Sequence, residues 1–474
     1  MNEKKILGDF FKLRDPESLA LVCSEGNYSV KDILKITQEI SQELKIFNKI
    51  NRAQSFLIDS SEPTVFISAL LAIIENGLTA VCWDGDSDPL NLAELTSSVA
   101  LIGPNKDKVM DKYFCINNLQ IDNWALNHPG NLVVTTSGST GSPKGVSLNA
   151  ESVIYNAFLA GKALELSKKN LDCWIIDIEL NLMSALSHFF MAWQYNLPLF
   201  CMTNLSGNAK RKLFKKKKFG FGGAPLQISK LASTILPVDG EGFLVSSGDF
   251  LSKSLVDEIN LRFPNISVAS FYGLTEMSGR FCYANYSNES ANKGSVGIPL
   301  EAYEVKIKDQ DNQGVGEILI KSDLTFNGYY RSNRFFEAHS RTEWFRTGDL
   351  ASIDQTGLYW LKGRSDDAFK VSGKKVDRQS IENCLVDVFK GIDYCVLPVK
   401  HSLMGTCPAL FIASGKLPRP PKLIDIVAVI KEKLPSRYIP IHYYSLDELP
   451  KLPNGKLDKQ FLINNHSELN RYKA

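Results

Sequence analysis

The stretch that most restricts the folds open to this chain is Thr136-Ser-Gly-Ser-Thr-Gly-Ser-Pro-Lys-Gly145, set directly behind the apolar run Leu132-Val-Val-Thr135. The apolar run reads as a buried strand, and the hydroxyl-rich stretch as a loop leaving its end. Glycine lets a backbone come close to a ligand. Hydroxyls and free backbone N–H groups bind anionic oxygens, and Lys144 adds a cation, so the combination suits a polyphosphate. A Walker A loop is excluded. That pattern needs four residues between its first glycine and a Gly-Lys-Ser/Thr. Here Pro143 stands five residues after Gly138, and Lys144 is followed by Gly145. A nucleotide held by this loop is therefore held in another fold. Taken alone, the segment also fits an ordinary Gly/Ser surface turn.

The surrounding pattern is that of an α/β protein. Phe66–Ile74 is an apolar run long enough for a buried helix, Gly77 stands where such a helix ends, and Leu78–Trp83 then reads as a strand. Val99–Ile102 is a further short strand, Val153–Leu164 has helical spacing, and Phe243–Ser247 and Val268–Tyr272 read as strands entering loops. This alternation predicts largely parallel sheets. From Tyr303 the texture changes to short β-like runs (Tyr303–Ile307, Glu317–Ile320, Leu358–Leu361) separated by Gly, Asp and Asn. The last hundred or so residues mix strands with a helix at Pro421–Leu434. A chain of 474 residues exceeds one ordinary core. The expectation is an α/β fold with two domains. Residues 1–364 form a large N-terminal domain of mixed sheets with packed helices plus a β-subdomain, and residues 365–474 a small α+β C-terminal domain.

Composition removes several function classes. The net charge of +2 gives no global pull toward nucleic acid or an anionic membrane. Nine cysteines contain no CxxC pair and no Cys/His cluster, so no zinc site is expected. An odd number of thiols behind an N-terminus without an apolar leader fits a reducing, cytoplasmic setting. Thr64–Trp83 and Cys173–Met202 approach membrane-span length, but the first holds Glu75 and Asn76 and the second Asp177, Glu179 and His188. Both read as core elements, and no membrane span is expected. The basic run Lys210-Arg-Lys212 and Lys215-Lys-Lys-Lys218 is either a solvated face or a docking patch for a phosphate-bearing partner.

The hydroxyl-rich loop does not stand alone. Downstream come Phe271-Tyr-Gly-Leu-Thr-Glu276, Trp344-Phe-Arg-Thr-Gly-Asp-Leu350, Gly363-Arg-Ser-Asp-Asp367 with Lys370-Val-Ser-Gly373, and Leu452-Pro-Asn-Gly-Lys-Leu-Asp458. In this order and spacing they resemble the core motifs of the ANL superfamily of adenylate-forming enzymes. That group contains acyl- and aryl-CoA synthetases, adenylation domains of nonribosomal peptide synthetases, and luciferases. The resemblance runs from about Ser18 to Lys459. It implies that a carboxylate attacks the α-phosphate of ATP to give an acyl-adenylate, and that a thiol then displaces AMP. It also implies residue roles. Thr136, Ser137, Gly138, Ser139, Thr140, Gly141 and Lys144 match the loop that covers the β- and γ-phosphates. Tyr272, beside Gly273, would stack on adenine in a pocket lined by Ser247, Gly248 and Asp249. Thr275 would bond an α-phosphate oxygen, and Glu276 would hold Mg²⁺, as suits a hard carboxylate ligand. Asp349 and Arg364 would take the ribose, and Lys456 would bridge the carboxylate and the α-phosphate. Asp366 sits at the family's hinge, about which a mobile C-terminal domain swings between half-reactions. The face around Lys370, Ser372 and Gly373 then serves the thioester step.

The sequence also departs from the family pattern. No His follows the loop lysine in Gly145-Val-Ser-Leu-Asn-Ala150, and of the usual paired glutamates after Gly373 only Glu382 is kept. The acyl-pocket segment, represented by Met183, Leu186 and His188, is the most altered. Met183 stands where amino-acid-activating relatives carry the Asp that pairs with an α-ammonium, which argues against a free α-amino acid. The resemblance implies a ligase that uses ATP, Mg²⁺ and coenzyme A on an aryl, fatty or polyketide-like acid. Two alternatives stay open: a stand-alone adenylating enzyme that loads an acyl carrier protein, and a non-catalytic binding module of the same fold.

Overall fold

The computed structural model describes Phe10 and residues 14–472, apart from 52–53, 84–87, 105–113, 119–130, 138–142, 204, 206, 216–217, 250, 287–292, 332–334, 365–367, 372–373, 390–391, 402–404, 416–420 and 452–456. The chain forms two compact units. The first takes Met1–Lys306, Ile320–Phe345 and Asp354–Trp360, and the second Ile307–Leu319, Arg346–Ile353 and Leu361–Ala474. Sequence reading places a single boundary at 364/365. In the folded chain two earlier stretches join the second unit.

Two large sheets build the first unit. One runs Ile298–Pro299, Gly279–Asn285, Ile266–Leu274, Gly242–Ser247, Phe219–Gly223, Cys173–Ile176, Leu199–Cys201, Leu19–Cys23, Gly26–Ser29. The six strands from Ile266–Leu274 to Leu19–Cys23 are parallel, and the edges are antiparallel. The other runs Phe335–Ala338, Gly328–Arg331, Pro143–Leu148, Leu132–Ser137, Thr79–Trp83, Ser55–Asp59, Ala100–Pro104, Phe114–Asn118, with a parallel centre. Continuous apolar runs become central strands because helices cover both faces. Every residue of Ser55–Asp59, Thr79–Trp83 and Cys173–Ile176 is buried.

The two near-membrane-length runs break up within this unit. The first becomes the helix Pro63–Glu75, buried from Pro63 to Ile74, and the strand Thr79–Trp83. The second becomes the strand Cys173–Ile176, the helix Met183–Gln194 and the strand Leu199–Cys201. Among the described residues no helix is long and apolar enough to cross a membrane.

In the second unit a sheet of Tyr394–His401, Gly405–Ala413 and His442–Leu446 separates two small cores. Val396, Leu410 and Ile412 pack with Ile381, Leu385, Ile426 and Ile430, while Cys395, Leu397, Ala409 and Phe411 pack with Leu449 and Leu462. The period-2 alternation of a strand sends successive side chains to opposite faces, so one short sheet serves both cores. Glu382, the one retained glutamate, is spent on this unit's structure: it accepts from Arg378 at 3.1 Å and from the Val396 N–H at 2.8 Å.

Candidate active site

The carboxyl ends of two adjacent parallel strands, Gly242–Ser247 and Ile266–Leu274, bring together Ser247, Gly248, Asp249, Tyr272 and Gly273. Open α/β sheets bind ligands at that edge. Register puts Ser247 opposite Phe271, so Gly248 and Asp249 leave the sheet beside Tyr272. On the next strand Gly223 pairs with Ser246, and Gly222 pairs in turn with Ile176. The Ser246 and Ser247 hydroxyls are buried without a protein partner. Tyr272 is half-buried and packs edge-on against Phe281 at 4.6 Å between centroids.

Thr275 and Glu276 sit on a single 3₁₀ turn, Thr275–Met277, between Ile266–Leu274 and the antiparallel Gly279–Asn285. The return is tight enough to dictate Gly273, since a Cβ there would lie 1.9 Å from the Gly279 carbonyl oxygen. The Glu276 carbonyl accepts from the Phe326 N–H at 2.8 Å, which fixes the turn from a second segment.

The strands flanking the expected phosphate loop form an antiparallel pair. Leu132–Ser137 pairs with Pro143–Leu148, with Thr136 opposite Lys144, so strand extends on both sides of 138–142. The loop expected from Thr136 onward is shorter than its sequence implies, because Thr and Ser complete the ladder as readily as they make turns. The Thr136 hydroxyl is buried and unpartnered. Lys144 Nζ lies 3.2 Å from Glu276 Oε1 and 4.0 Å from the centre of the Tyr329 ring. Tyr329 O–H donates to the same Oε1 at 2.7 Å. Its strand Gly328–Arg331 pairs with Pro143–Leu148, which is how a residue 185 positions further on reaches Lys144.

Met183, Leu186 and His188 all lie buried on the helix Met183–Gln194. His188 Nδ1 accepts from Trp174 Nε1 at 3.2 Å and from Arg280 at 2.8 Å. Gly222 makes room for this ring, since a Cβ there would come within 2.3 Å of it. Burial, and after it the adjacent guanidinium, hold the imidazole well below its ordinary range, so it is neutral. Burial also pulls Arg280 down to about 9, still protonated at neutral pH.

In the second unit Asp349 is buried and meets Arg364, with its Oδ1 at 2.7 Å from the guanidinium. Thr347 Oγ1 takes the Asp349 N–H at 3.0 Å and donates to the Ile318 carbonyl at 2.9 Å. The Gly348 N–H bonds Glu317, which also pairs with Arg346. The two expected ribose residues thus hold each other.

A model of the AMP-binding enzyme family matches residues 15–330. The chain belongs to the AMP-binding enzyme family. The adenylate-forming superfamily expected from the five motifs is thereby its superfamily. A 2-succinylbenzoate–CoA ligase of Oceanobacillus iheyensis is 27% identical over 330 residues, 68% of this chain and 67% of that one. Among solved structures, the o-succinylbenzoate CoA synthetase of Bacillus subtilis in complex with its acyl-adenylate superposes with a TM-score of 0.79 at 19% identity, over 99% of both chains. ATP-bound MatB from Rhodopseudomonas palustris superposes equally well, with a TM-score of 0.79 at 17% identity over 99% of both chains. The α/β fold with a large first part and a small second part is that of these adenylate-forming proteins.

Family membership raises the question whether Glu276 suits Mg²⁺. Its Oε1 takes both Lys144 and Tyr329, and Oε2 takes no donor among the described residues. No group of three or more His, Cys, Asp or Glu able to hold a metal occurs among them. Mg²⁺ is commonly bound through one carboxylate together with substrate phosphates. One free carboxylate oxygen beside a phosphate hairpin fits that mode and not an all-protein cage.

Several predicted residues fall outside the described ones: Gly138, Ser139, Thr140 and Gly141 of the expected phosphate loop, the hinge Asp366, Ser372 and Gly373 of the thioester-step face, and Lys456. Lys370 lies on the strand Ala368–Val371. In the basic run, Lys210 is tied to Asp177 at 3.2 Å and Lys218 to Glu241 at 3.4 Å. Three residues escaped sequence reading. Arg280 left a signal, being a lone charge in the apolar strand Gly279–Asn285. Trp174 and Tyr329 left none, because their roles arise from pairing between distant strands.

Asp349→Ala gives a direct test of the ribose assignment. Loss of a charge-assisted hydrogen bond, about 1.5–3 kcal/mol, should raise the KM for ATP tenfold or more. Arg364 is 42% exposed and is rehydrated when its partner is lost, so the stability loss should be small. A lowered melting temperature with unchanged ATP affinity would make Asp349 a turn residue.

Proposed function

We propose that this chain is an AMP-forming acid–thiol ligase that activates a non-amino carboxylic acid and passes it to coenzyme A. The observation that carries the reading is the Lys144–Glu276–Tyr329 cluster at the base of the phosphate hairpin. A cation and a carboxylate neutralise each other there, beside the unpartnered hydroxyl of Thr136. A polyphosphate gives Lys144 an anion of higher charge, and Glu276 would hold a Mg²⁺, which would supply charge neutralisation during phosphoryl transfer.

In the first step an oxygen of the acid attacks the α-phosphorus and the bond to pyrophosphate breaks. Thr275 bonds an α-phosphate oxygen, Tyr272 stacks on adenine beside Ser247, Gly248 and Asp249, and Asp349 with Arg364 takes the ribose. Lys456 bridges the two reacting anions. In the second step the thiol sulfur attacks the acyl carbon, AMP leaves with the bonding pair, and the thiol proton passes to solvent. The activities of the relatives support this reading, as does a solved neighbour holding ATP and a magnesium ion. Met183 is apolar and buried, so an α-ammonium has no counter-ion at that position. All nine cysteines are free thiols, which supports a reducing, cytoplasmic setting.

The test is ATP–pyrophosphate exchange over a panel of carboxylic acids, followed by AMP release with coenzyme A or with a phosphopantetheinylated carrier protein. Exchange with non-amino acids and turnover with free coenzyme A are expected. Turnover with the carrier alone would replace the acceptor, and no exchange with any acid would overturn the reading.

A further inference from the structure

The turn that carries Thr275 and Glu276 ends in two residues whose backbone must be held from outside. Ser278 has a φ of 55° and Gly279 one of 118°. A left-handed serine costs energy and persists where its surroundings fix it. Three other segments of the first unit do so. The Glu276 carbonyl accepts from Phe326 N–H, and Ser278 Oγ donates to the Leu324 carbonyl. The Met277 carbonyl accepts from the Tyr303 O–H at 2.6 Å. The Arg280 backbone is bonded at both its N–H and its carbonyl by Asn156.

Asn156 is wholly buried on the helix Ala150–Ala163, among the buried Val153, Ala157 and Ala160. Its amide is spent on this contact. Oδ1 accepts from the Arg280 N–H at 3.1 Å, and Nδ2 donates to the Arg280 carbonyl and, at 2.7 Å, to the Tyr303 hydroxyl. Tyr303 in turn gives its own proton to Met277, so the chain of bonds ends on the peptide next to Glu276. The helix follows directly on the strand Pro143–Leu148, which carries Lys144. Asn156 and Tyr303 therefore tie the element bearing the lysine to the turn bearing the carboxylate, whose charged atoms lie 3.2 Å apart. For packing alone, a leucine in the helix and a phenylalanine at 303 would serve without burying an amide and a hydroxyl, which is costly unless every bond is made.

We propose that Asn156 and Tyr303 are positioning residues for adenylation: through the Met277 carbonyl and the Arg280 backbone they set Glu276 against Lys144. This rests on the ligase reading above. Without the Tyr303 hydroxyl the Met277 carbonyl and one Asn156 N–H lose their partner, Ser278 is held from fewer sides, and the carboxylate shifts relative to the lysine. A displacement of about 1 Å in a reacting site costs on the order of a hundredfold in rate.

Tyr303→Phe tests this, since it removes one hydroxyl and keeps the ring. It should lower kcat for ATP–pyrophosphate exchange about tenfold or more. Thioester formation from a supplied acyl-adenylate should stay within about twofold, because the pyrophosphate that Lys144 and Glu276 serve has by then left. Added to Glu276→Gln, Tyr303→Phe should cost less than about twofold more, because a residue that acts through Glu276 then has nothing left to position. Asn156→Ala should repeat this pattern. A purely structural role would instead lower the melting temperature and reduce both half-reactions alike, whatever stands at position 276. Wild-type exchange by Tyr303→Phe, an equal loss in both half-reactions, or full additivity with Glu276→Gln overturns the positioning role and leaves the ligase reading standing. Should Asn156→Ala fail to fold, Tyr303→Phe decides alone. No exchange by the wild type with any acid overturns the ligase reading and this inference with it.

Discussion

Glu276→Gln should lower ATP–pyrophosphate exchange by about a hundredfold or more and raise the Mg²⁺ concentration needed for half-maximal rate. The substitution keeps the side chain's shape and its ability to accept from Tyr329 O–H, now at 2.7 Å. What it removes is the charge. Loss of one preorganised electrostatic contact in a transition state costs on the order of 3 kcal/mol, which sets the expected factor. Folding should survive, because the turn is also held through its backbone by Phe326 at 2.8 Å. A Mg²⁺ titration separates two explanations of a slow variant. If Glu276 serves only to pin Lys144 to the hairpin, the rate falls by the same factor at every Mg²⁺ concentration. If it carries the ion, excess Mg²⁺ recovers part of the rate. A variant with wild-type exchange and wild-type Mg²⁺ response would remove Glu276 from the machinery.

Lys456→Ala should slow adenylate formation about a hundredfold while leaving thioester formation from a supplied acyl-adenylate largely intact. The motif Pro453-Asn-Gly-Lys-Leu457 motivates the test. Its flanks are anchored on both sides. Lys451 and Leu457 form an antiparallel bridge, the Asp458 N–H bonds the Pro450 carbonyl at 2.9 Å, and Asp458 caps the helix Lys459–Asn465 through the Phe461 N–H. The magnitude again follows from removing a single preorganised donor, about 3 kcal/mol. Measuring the two half-reactions on the same preparation checks the assignment, and equal losses in both would sink it.

Much of this protein is legible without coordinates because its signals are local. A strand followed by a Ser/Thr/Gly loop and a lysine, an aromatic ahead of Gly-Leu-Thr-Glu, and an aspartate behind Arg-Thr-Gly each carry their resemblance to the family within a few residues. Hydrophobic period and length place the helix Pro63–Glu75 and the strands Thr79–Trp83, Gly242–Ser247 and Ile266–Leu274 to within a few residues. Composition already separates core runs from membrane spans, since Glu75, Asp177 and Glu179 interrupt the apolar stretches.

Partnership is what the sequence by itself left undetermined. Lys144 meets Glu276 across 132 positions, and Tyr329 joins them only because its strand pairs with the hairpin. Nothing in a linear pattern encodes such pairing, because sheet register is fixed by burial and backbone ladders between distant segments. The same holds for Arg280. In the sequence it is a lone charge in an apolar strand, with nothing to say what it meets. Only the packed structure shows it buried, 2.8 Å from a neutral histidine, with no carboxylate paired to it among the described residues. The reason is physical: in water a guanidinium needs no partner, and it is burial, a property of the whole fold, that makes a missing one consequential.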